Sequence, residues 1–295
     1  MYKFLFFLLG FIVFLPLLNL LLGIHPLTFK TDVDPSHFGL PYERVEFTTE
    51  DQLVIRGWFI PAAPSALTPA QESPKTIPTI VVGHGYPFDK ANILRHVLFL
   101  HQRFHLLLMD FRYFGESDGG ITTVGIREPL DVKAALDYLD QRGDIDTTRI
   151  GAMGFSMSAA IFVLTQDPRI RAIVADSPYA SLAKIVERQY FFVPQPLNGI
   201  MVNLTRLYAR MLLGLEMDHV SPENTVRDLT TPLLLIHGED DSQIPADHSR
   251  ALFAKANQSL TTLWLIPGAD HGQAHAKAGF DYELRVLDFF TTHLN

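Results

Sequence analysis

Two Gly-x-Ser tripeptides occur in the 295-residue chain, Gly115-Glu116-Ser117 and Gly154-Phe155-Ser156. A serine so placed becomes a nucleophile when a base lies beside it, and the chemistry open to it is acyl transfer. Gly115-Glu116-Ser117-Asp118-Gly119 satisfies the full G-x-S-x-G pattern, whereas Gly154-Phe155-Ser156-Met157-Ser158 ends in Ser instead of Gly. Context reverses that ranking. A sharp strand-to-helix turn is needed to raise the hydroxyl above a sheet edge and aim the helix N-terminus at a developing oxyanion. Arg149-Ile150-Gly151-Ala152-Met153 reads as the strand and Ala159-Ala160-Ile161-Phe162-Val163-Leu164 as the helix, while Ser117 runs into the loop Asp118-Gly119-Gly120. Ser156 is therefore the candidate nucleophile, and Ser158 a tolerable small residue where the turn normally takes Gly.

A serine hydroxyl is a weak nucleophile near pH 7 and needs a histidine that is itself held by a carboxylate. The apolar run Leu233-Leu234-Leu235-Ile236-His237-Gly238 ends at Glu239-Asp240-Asp241, and carboxylates at such a strand end face the active-site crevice. Asp241 is the candidate acid, with Asp240 its nearest rival. The following apolar run ends at Pro267-Gly268-Ala269-Asp270-His271-Gly272, which puts His271 on the same edge as the candidate base. His275 and His293 are alternatives, the first a turn beyond the strand end and the second in the terminal helix.

These three side chains are far apart in sequence, so a sheet must gather them. Arg44 to Thr49 and Leu53 to Ile60 read as a hairpin around Glu50-Asp51. From Thr79 onward, short continuous apolar runs alternate with helical stretches, the pattern of parallel strands buried on both faces. The runs are Thr79 to Gly83, His105 to Asp110, Arg149 to Gly154, Ile170 to Asp176, Pro232 to His237 and Thr261 to Ile266. Helices are expected at Asp131 to Gln141, Ser158 to Gln166, Asp247 to Ala256 and Phe280 to His293. A mostly parallel, doubly wound α/β sheet of about eight strands accounts for all of them. Pro61 to Pro78 is proline-rich and reads as an exposed loop. Residues 181–228 are too many for a crossover, and their later apolar residues recur at helical spacing. This helical insertion is either a lid over an apolar pocket or additional core packing.

The chain resembles the α/β hydrolases, and among them bacterial members related to the serine aminopeptidase and acylaminoacyl-peptidase-like hydrolases, from about Val45 to the C-terminus. The landmarks are His84-Gly85-Tyr86, Asp110-Phe111-Arg112-Tyr113-Phe114-Gly115-Glu116-Ser117, the turn at Ser156, Ala175-Asp176-Ser177-Pro178 and His237-Gly238-x-x-Asp241-x-x-Ile244-Pro245. The resemblance implies the α/β-hydrolase fold, Asp241 and His271 as acid and base, and an oxyanion hole made by the backbone N–H groups of Tyr86 and Met157. Ser158 and an N-terminal membrane helix depart from the pattern. Asp110, Arg112 and Glu116 are expected to fix the loop after the second parallel strand, and His84 to shape the oxyanion loop.

Composition narrows the function further. A net charge of −8 argues against nucleic acid as a partner, and 47% hydrophobic residues promise a well-filled core. The absence of cysteine removes disulfides, thiolate metal sites and a cysteine nucleophile. His271 and His275 have i, i+4 spacing but no H-E-x-x-H pattern, and no phosphate-binding glycine loop is present, so neither metal nor other cofactor is expected. Phe4 to Gly23 is apolar except for Gly10, Pro16, Asn19 and Gly23 and, as a helix, would span roughly 30 Å, a bilayer's hydrocarbon core. Residues 1–25 thus read as a membrane anchor or, alternatively, a signal peptide, although Leu22-Gly23-Ile24-His25-Pro26 offers no A-x-A-like cleavage site. Residues 26–295 form the hydrolase domain, placed outside the cytoplasm by a slight bias of basic residues. The expected reaction is cofactor-free hydrolysis of an ester, thioester or amide through an acyl-enzyme, with an apolar or lipid-like acyl substrate favoured. A peptidase acting on short peptides and a non-catalytic binding module are the rivals.

Overall fold

Runs of valine, isoleucine and leucine that are apolar on both faces can be satisfied only in the middle of a layered structure. In the computed structural model, which describes residues 2–63 and 76–294 apart from the side chains of residues 4–9, they form one eight-stranded sheet. Its strands are β1 (Glu43–Thr48), β2 (Val54–Ile60), β3 (Thr79–Gly83), β4 (His105–Met109), β5 (Ile150–Phe155), β6 (Ile170–Asp176), β7 (Leu233–Gly238) and β8 (Thr261–Ile266), in the order β1-β2-β4-β3-β5-β6-β7-β8. The β1–β2 hairpin runs antiparallel, and β2 joins β4 antiparallel. All pairings from β4 to β8 are parallel. Each strand lies where its apolar run predicts, with ends displaced by a residue or two.

The helices are α1 (Tyr2–Ile24), α2 (Lys90–Val97), α3 (Glu128–Asp140), α4 (Met157–Thr165), α5 (Leu182–Gln189), α6 (Leu197–Leu213), α7 (Pro222–Thr225), α8 (Asp247–Lys255), α9 (Ala274–Ala278) and α10 (Phe280–Leu294). On one face of the sheet, α3, α4 and α8 bury Leu136, Phe162 and Leu252 with Val81 and Leu107. On the other, α2 and α10 bury Leu94, Val286 and Phe290 with Ile80 and Val82. Each such side chain contributes about 1.5–3 kcal/mol on leaving water, which makes the two-sided core the main source of stability. Most of the expected proline-rich loop, residues 64–75, lies outside the described residues.

A third apolar cluster joins elements that composition alone left separate. Leu20 and Ile24 of α1 pack with Leu182 and Val186 of α5 and with Met201 and Val202 of α6. The insertion between β6 and β7 is thus helical, as its spacing predicts, but it shares its core with the N-terminal helix. Among the described residues no helix is long and apolar enough to cross a membrane, so the expected span finds no support there. The last turns of α1 are instead docked against protein. The hydroxyl of Tyr86 donates to the Gly23 carbonyl at 3.2 Å, and the Thr122 N–H donates to the Ile24 carbonyl at 3.0 Å. These bonds satisfy carbonyls that a helix end leaves without partners.

The loop after β4 is held as expected, by charge. Lys90 Nζ reaches Asp110 at 2.5 Å and Glu116 at 2.6 Å. Arg112 donates to Asp131 at 2.6 Å and to Asp51 at 2.7 Å, tying that loop to α3 and to the β1–β2 turn. Ser117, the rival serine, donates to the Asp110 carbonyl at 2.7 Å and accepts from the Arg56 N–H at 2.9 Å. It is occupied in holding the sheet. Arg112 and Asp131 are 2% and 0% exposed, so removing the guanidinium strands a buried carboxylate. Arg112→Ala is expected to cost about 3–5 kcal/mol, read as a lower urea midpoint, and an unchanged midpoint would refute the clamp.

Candidate active site

The C-terminal ends of β5, β7 and β8 deliver the three residues. Ser156 follows β5 directly and precedes α4, with φ 55° and ψ −110°. A non-glycine residue in such a conformation costs on the order of 1–3 kcal/mol, and the surroundings must enforce it. Gly154 allows the turn to close, because a Cβ there would stand 2.5 Å from the Ala159 nitrogen. A Cβ on Gly83 would meet that of Ser158 at 2.5 Å, so the neighbouring strand also has to be bare. Ser158 explains its own departure from glycine. Its hydroxyl accepts from the Phe155 N–H at 2.9 Å and donates to the Phe155 carbonyl at 3.0 Å, stitching the turn from inside.

The structure brings Ser156, His271 and Asp241 together. The serine hydroxyl lies 3.1 Å from His271 Nε2, and His271 Nδ1 lies 2.7 Å from Asp241 Oδ2. Asp241 also accepts from the backbone N–H groups of Gln243 at 3.0 Å and Ile244 at 2.7 Å. Burial works to raise the Asp241 carboxyl, but bonds from His237, His271 and Ile244 outweigh it and hold the group well below the usual carboxylate range. It stays ionised. Asp240 is exposed, and its side chain has no such partners. His275 is committed elsewhere, 3.0 Å from Glu283 and stacked on Tyr282, and His293 is exposed on α10.

Tyr86 and Met157 border the same cavity as Ser156 and His271. Met157 is the first residue of α4, so its N–H has no intrahelical acceptor. His84 braces the Tyr86 loop as expected. Its Nδ1 donates to the Gly85 carbonyl at 2.9 Å and its Nε2 accepts from the Phe111 N–H at 3.1 Å, the pattern of a neutral imidazole. Burial pushes its pKa down, which agrees with that tautomer. Among the described residues no group of three or more His, Cys, Asp or Glu side chains is arranged to hold a metal ion.

Two positioning residues escape sequence reasoning. His237 is fully buried behind the acid, with Nε2 donating to the Ile244 carbonyl at 2.7 Å and lying 3.3 Å from Asp241 Oδ2. The Ser249 hydroxyl donates to its Nδ1 at 2.6 Å. Asp270 accepts from the Ser242 N–H at 2.8 Å and from the His271 N–H at 2.7 Å, clamping the acid loop to the histidine loop. The adjacency of His237 and Asp270 to the chosen acid and base was the available signal.

The cavity above the serine measures about 670 Å³. The insertion supplies Leu182, Ile185, Val186 and Leu215 to its wall, and Leu182, Val186 and Leu215 are at the same time part of the third apolar cluster. With strand order, turn and wall in view, the match to known proteins follows. Residues 117–295, which contain the turn, the acid loop and the histidine loop, match the prolyl oligopeptidase family. The chain belongs to that family. A relative, the Escherichia coli (strain K12) protein YfhR, itself uncharacterized, is 31% identical over 263 residues, covering 86% of this chain and 82% of YfhR. The Pyrococcus furiosus esterase Pf2001 superposes with a TM-score of 0.71 at 24% identity, covering 92% of this chain and all of that one. An acylaminoacyl peptidase solved with Z-Gly-Gly-Phe-chloromethyl ketone superposes with a TM-score of 0.62 at 17% identity, over 90% of this chain and 44% of the peptidase. The fold is therefore that of the α/β hydrolases, and this prolyl oligopeptidase family member is a hydrolase.

The insertion is attached to α8 through a histidine that must remain neutral. His248 on α8 accepts the Ala180 N–H at 3.0 Å, at the point where the chain leaves the sheet for α5. Burial, then the charges of Lys184 and His237, depress its pKa from 6.5 to about 4, against the opposing pull of Glu223. Between those values the unfolded chain binds a proton that the folded chain refuses, so stability falls as pH drops through the window. Asp241 contributes little to that loss, since a depressed carboxylate keeps its stabilising effect above the ordinary carboxylate pKa of about 4 and loses it only as pH falls below that value. The unfolding free energy is expected to decline between pH 6.5 and 4 by on the order of 3 kcal/mol from His248 alone. His248→Asn, which retains an acceptor, should flatten that slope in urea titrations, and an unaltered slope would assign it to other groups.

Proposed function

We propose that the chain is a serine hydrolase that cleaves carboxylic esters of apolar acyl chains. The observation that carries this reading is the unbroken hydrogen-bond series from Ser156 through His271 to Asp241, opening onto a cavity with largely aliphatic walls. Ser156 Oγ attacks the carbonyl carbon while His271 Nε2 takes its proton. The carbonyl oxygen becomes an oxyanion facing the N–H groups of Tyr86 and Met157, where one donor is worth about 100- to 1000-fold in rate. The carbon–oxygen bond to the leaving alcohol then breaks, and His271 returns the proton to that alcohol. Water, deprotonated by the same imidazole, releases the carboxylic acid and restores the serine. Throughout, Asp241 holds the ring and balances the imidazolium.

Family membership favours a second reading, a peptidase for short peptides, in which an amine replaces the alcohol as leaving group. Attachment to a membrane through the apolar stretch of residues 4–23, with the hydrolase domain outside the cytoplasm, completes the proposal. It is supported by that stretch itself and by the exposed Phe14, Leu18, Leu21 and Leu22 of α1. Protein remaining with membranes after alkaline carbonate extraction, and digested by protease added to intact spheroplasts, is the expected result.

Fluorophosphonate should label the wild type and not Ser156→Ala, whose turnover should fall on the order of a millionfold. Asp241→Asn should lose about ten-thousandfold and Asp240→Asn almost nothing. p-Nitrophenyl acyl esters are expected to turn over faster than aminoacyl anilides; the reverse order would hand the site to the peptidase reading.

A further inference from the structure

The cavity over Ser156 is bounded not only by the sheet edge and the insertion but by the N-terminal helix. Asn19, Leu20, Gly23 and Ile24 of α1 line it, spaced so that they share one helical face. Leu20 and Ile24 are 6% and 5% exposed, whereas Leu22, on another face, is 60% exposed. The attachment is specific. Tyr86, which lines the same cavity as Ser156, fastens the Gly23 carbonyl through its hydroxyl, and Tyr208 of α6 donates to the Val13 carbonyl at 3.1 Å. Tyr113 donates to the Pro26 carbonyl at 3.0 Å just beyond the helix.

Given these contacts, we infer that α1 is a wall of the substrate pocket and sets the length of acyl chain it admits, with Gly23 as the specificity-determining position. A Cβ built on Gly23 meets no atom within 4 Å, although its neighbours on that face are packed. The missing side chain leaves free volume beside Leu20 and Ile24, in a wall of low polarity suited to methylenes. An extended acyl chain entering from Ser156 would be removed from water there, one methylene after another. Asn19 is the polar interruption in this face. This inference deepens the esterase reading and rests on it for the identity of the substrate.

The test separates the two. In a full-length Ser156→Ala background, calorimetry measures the binding of dodecanoate and hexanoate, so no turnover is required. Gly23→Phe is expected to weaken dodecanoate at least tenfold more than hexanoate. Leu22→Phe should change neither by more than about twofold, and Leu20→Ala, which enlarges the same wall, should shift preference toward the longer acid. The opposite sign of the Leu20 and Gly23 effects distinguishes a change in pocket length from loss of folding. Equal effects of Gly23→Phe and Leu22→Phe, or a parent protein that does not bind dodecanoate, would overturn the wall. A parent that binds dodecanoate with the expected variant pattern, while active enzyme fails to cleave its p-nitrophenyl ester, would uphold the wall and refute the esterase reading.

Discussion

A carboxylate withdrawn from solvent keeps its charge only if bonds from the protein replace the water it has lost. Asp241 meets this condition with two backbone N–H groups on one oxygen and His271 on the other, while His237 stands behind it. The charge orients the imidazole, and the imidazole orients the serine hydroxyl. Each link belongs to a different strand end, so the parallel pairing of β5 through β8 is what makes the series possible. Asp270 reinforces the arrangement by bonding the two loops to one another. The whole edge behaves as one electrostatic unit whose geometry the hydrophobic layers beneath hold fixed.

Much of this could be read from residue types. Six of the eight strands announce themselves as apolar runs, because a strand covered on both faces has little room for polar side chains, and β1 and β2 are legible as a hairpin. Ser156 was separable from Ser117 for the same reason, since only one of them is preceded by such a run and followed by a helix. Asp241 and His271 fall at run ends. Less was readable where structure depends on contacts between distant segments. The short helix α2, eight residues beginning after Asp89, has too little length for a periodic signal. His237 looked like part of a strand and Asp270 like a turn residue, and their bonds to the site appear only when neighbouring loops are adjacent. Most telling is α1, whose apolar composition is the same whether it meets lipid or protein, so that composition could not reveal its contacts with α6 and Tyr86.

The resulting pocket has three sources. The sheet edge supplies reacting groups held to within hydrogen-bond distances, the insertion supplies an aliphatic roof, and the N-terminal helix closes one side. The division follows the demands of each task. Reacting groups need rigid placement, which a parallel sheet provides, whereas the walls of a cavity need only surface of suitable shape, which packed helices can offer.

The contact between α1 and α6 has a consequence for biosynthesis. The Val13 carbonyl and the Tyr208 hydroxyl that binds it are separated by 195 residues. At a synthesis rate of about 5–20 residues per second, an apolar helix leaves the ribosome some ten seconds or more before its partner exists. Tyr86 follows early, but the part of the inner face that α6 covers has no partner until α6 is made. The first wall of the pocket to be made is thus completed only when a hydroxyl 195 residues further along the chain has been added.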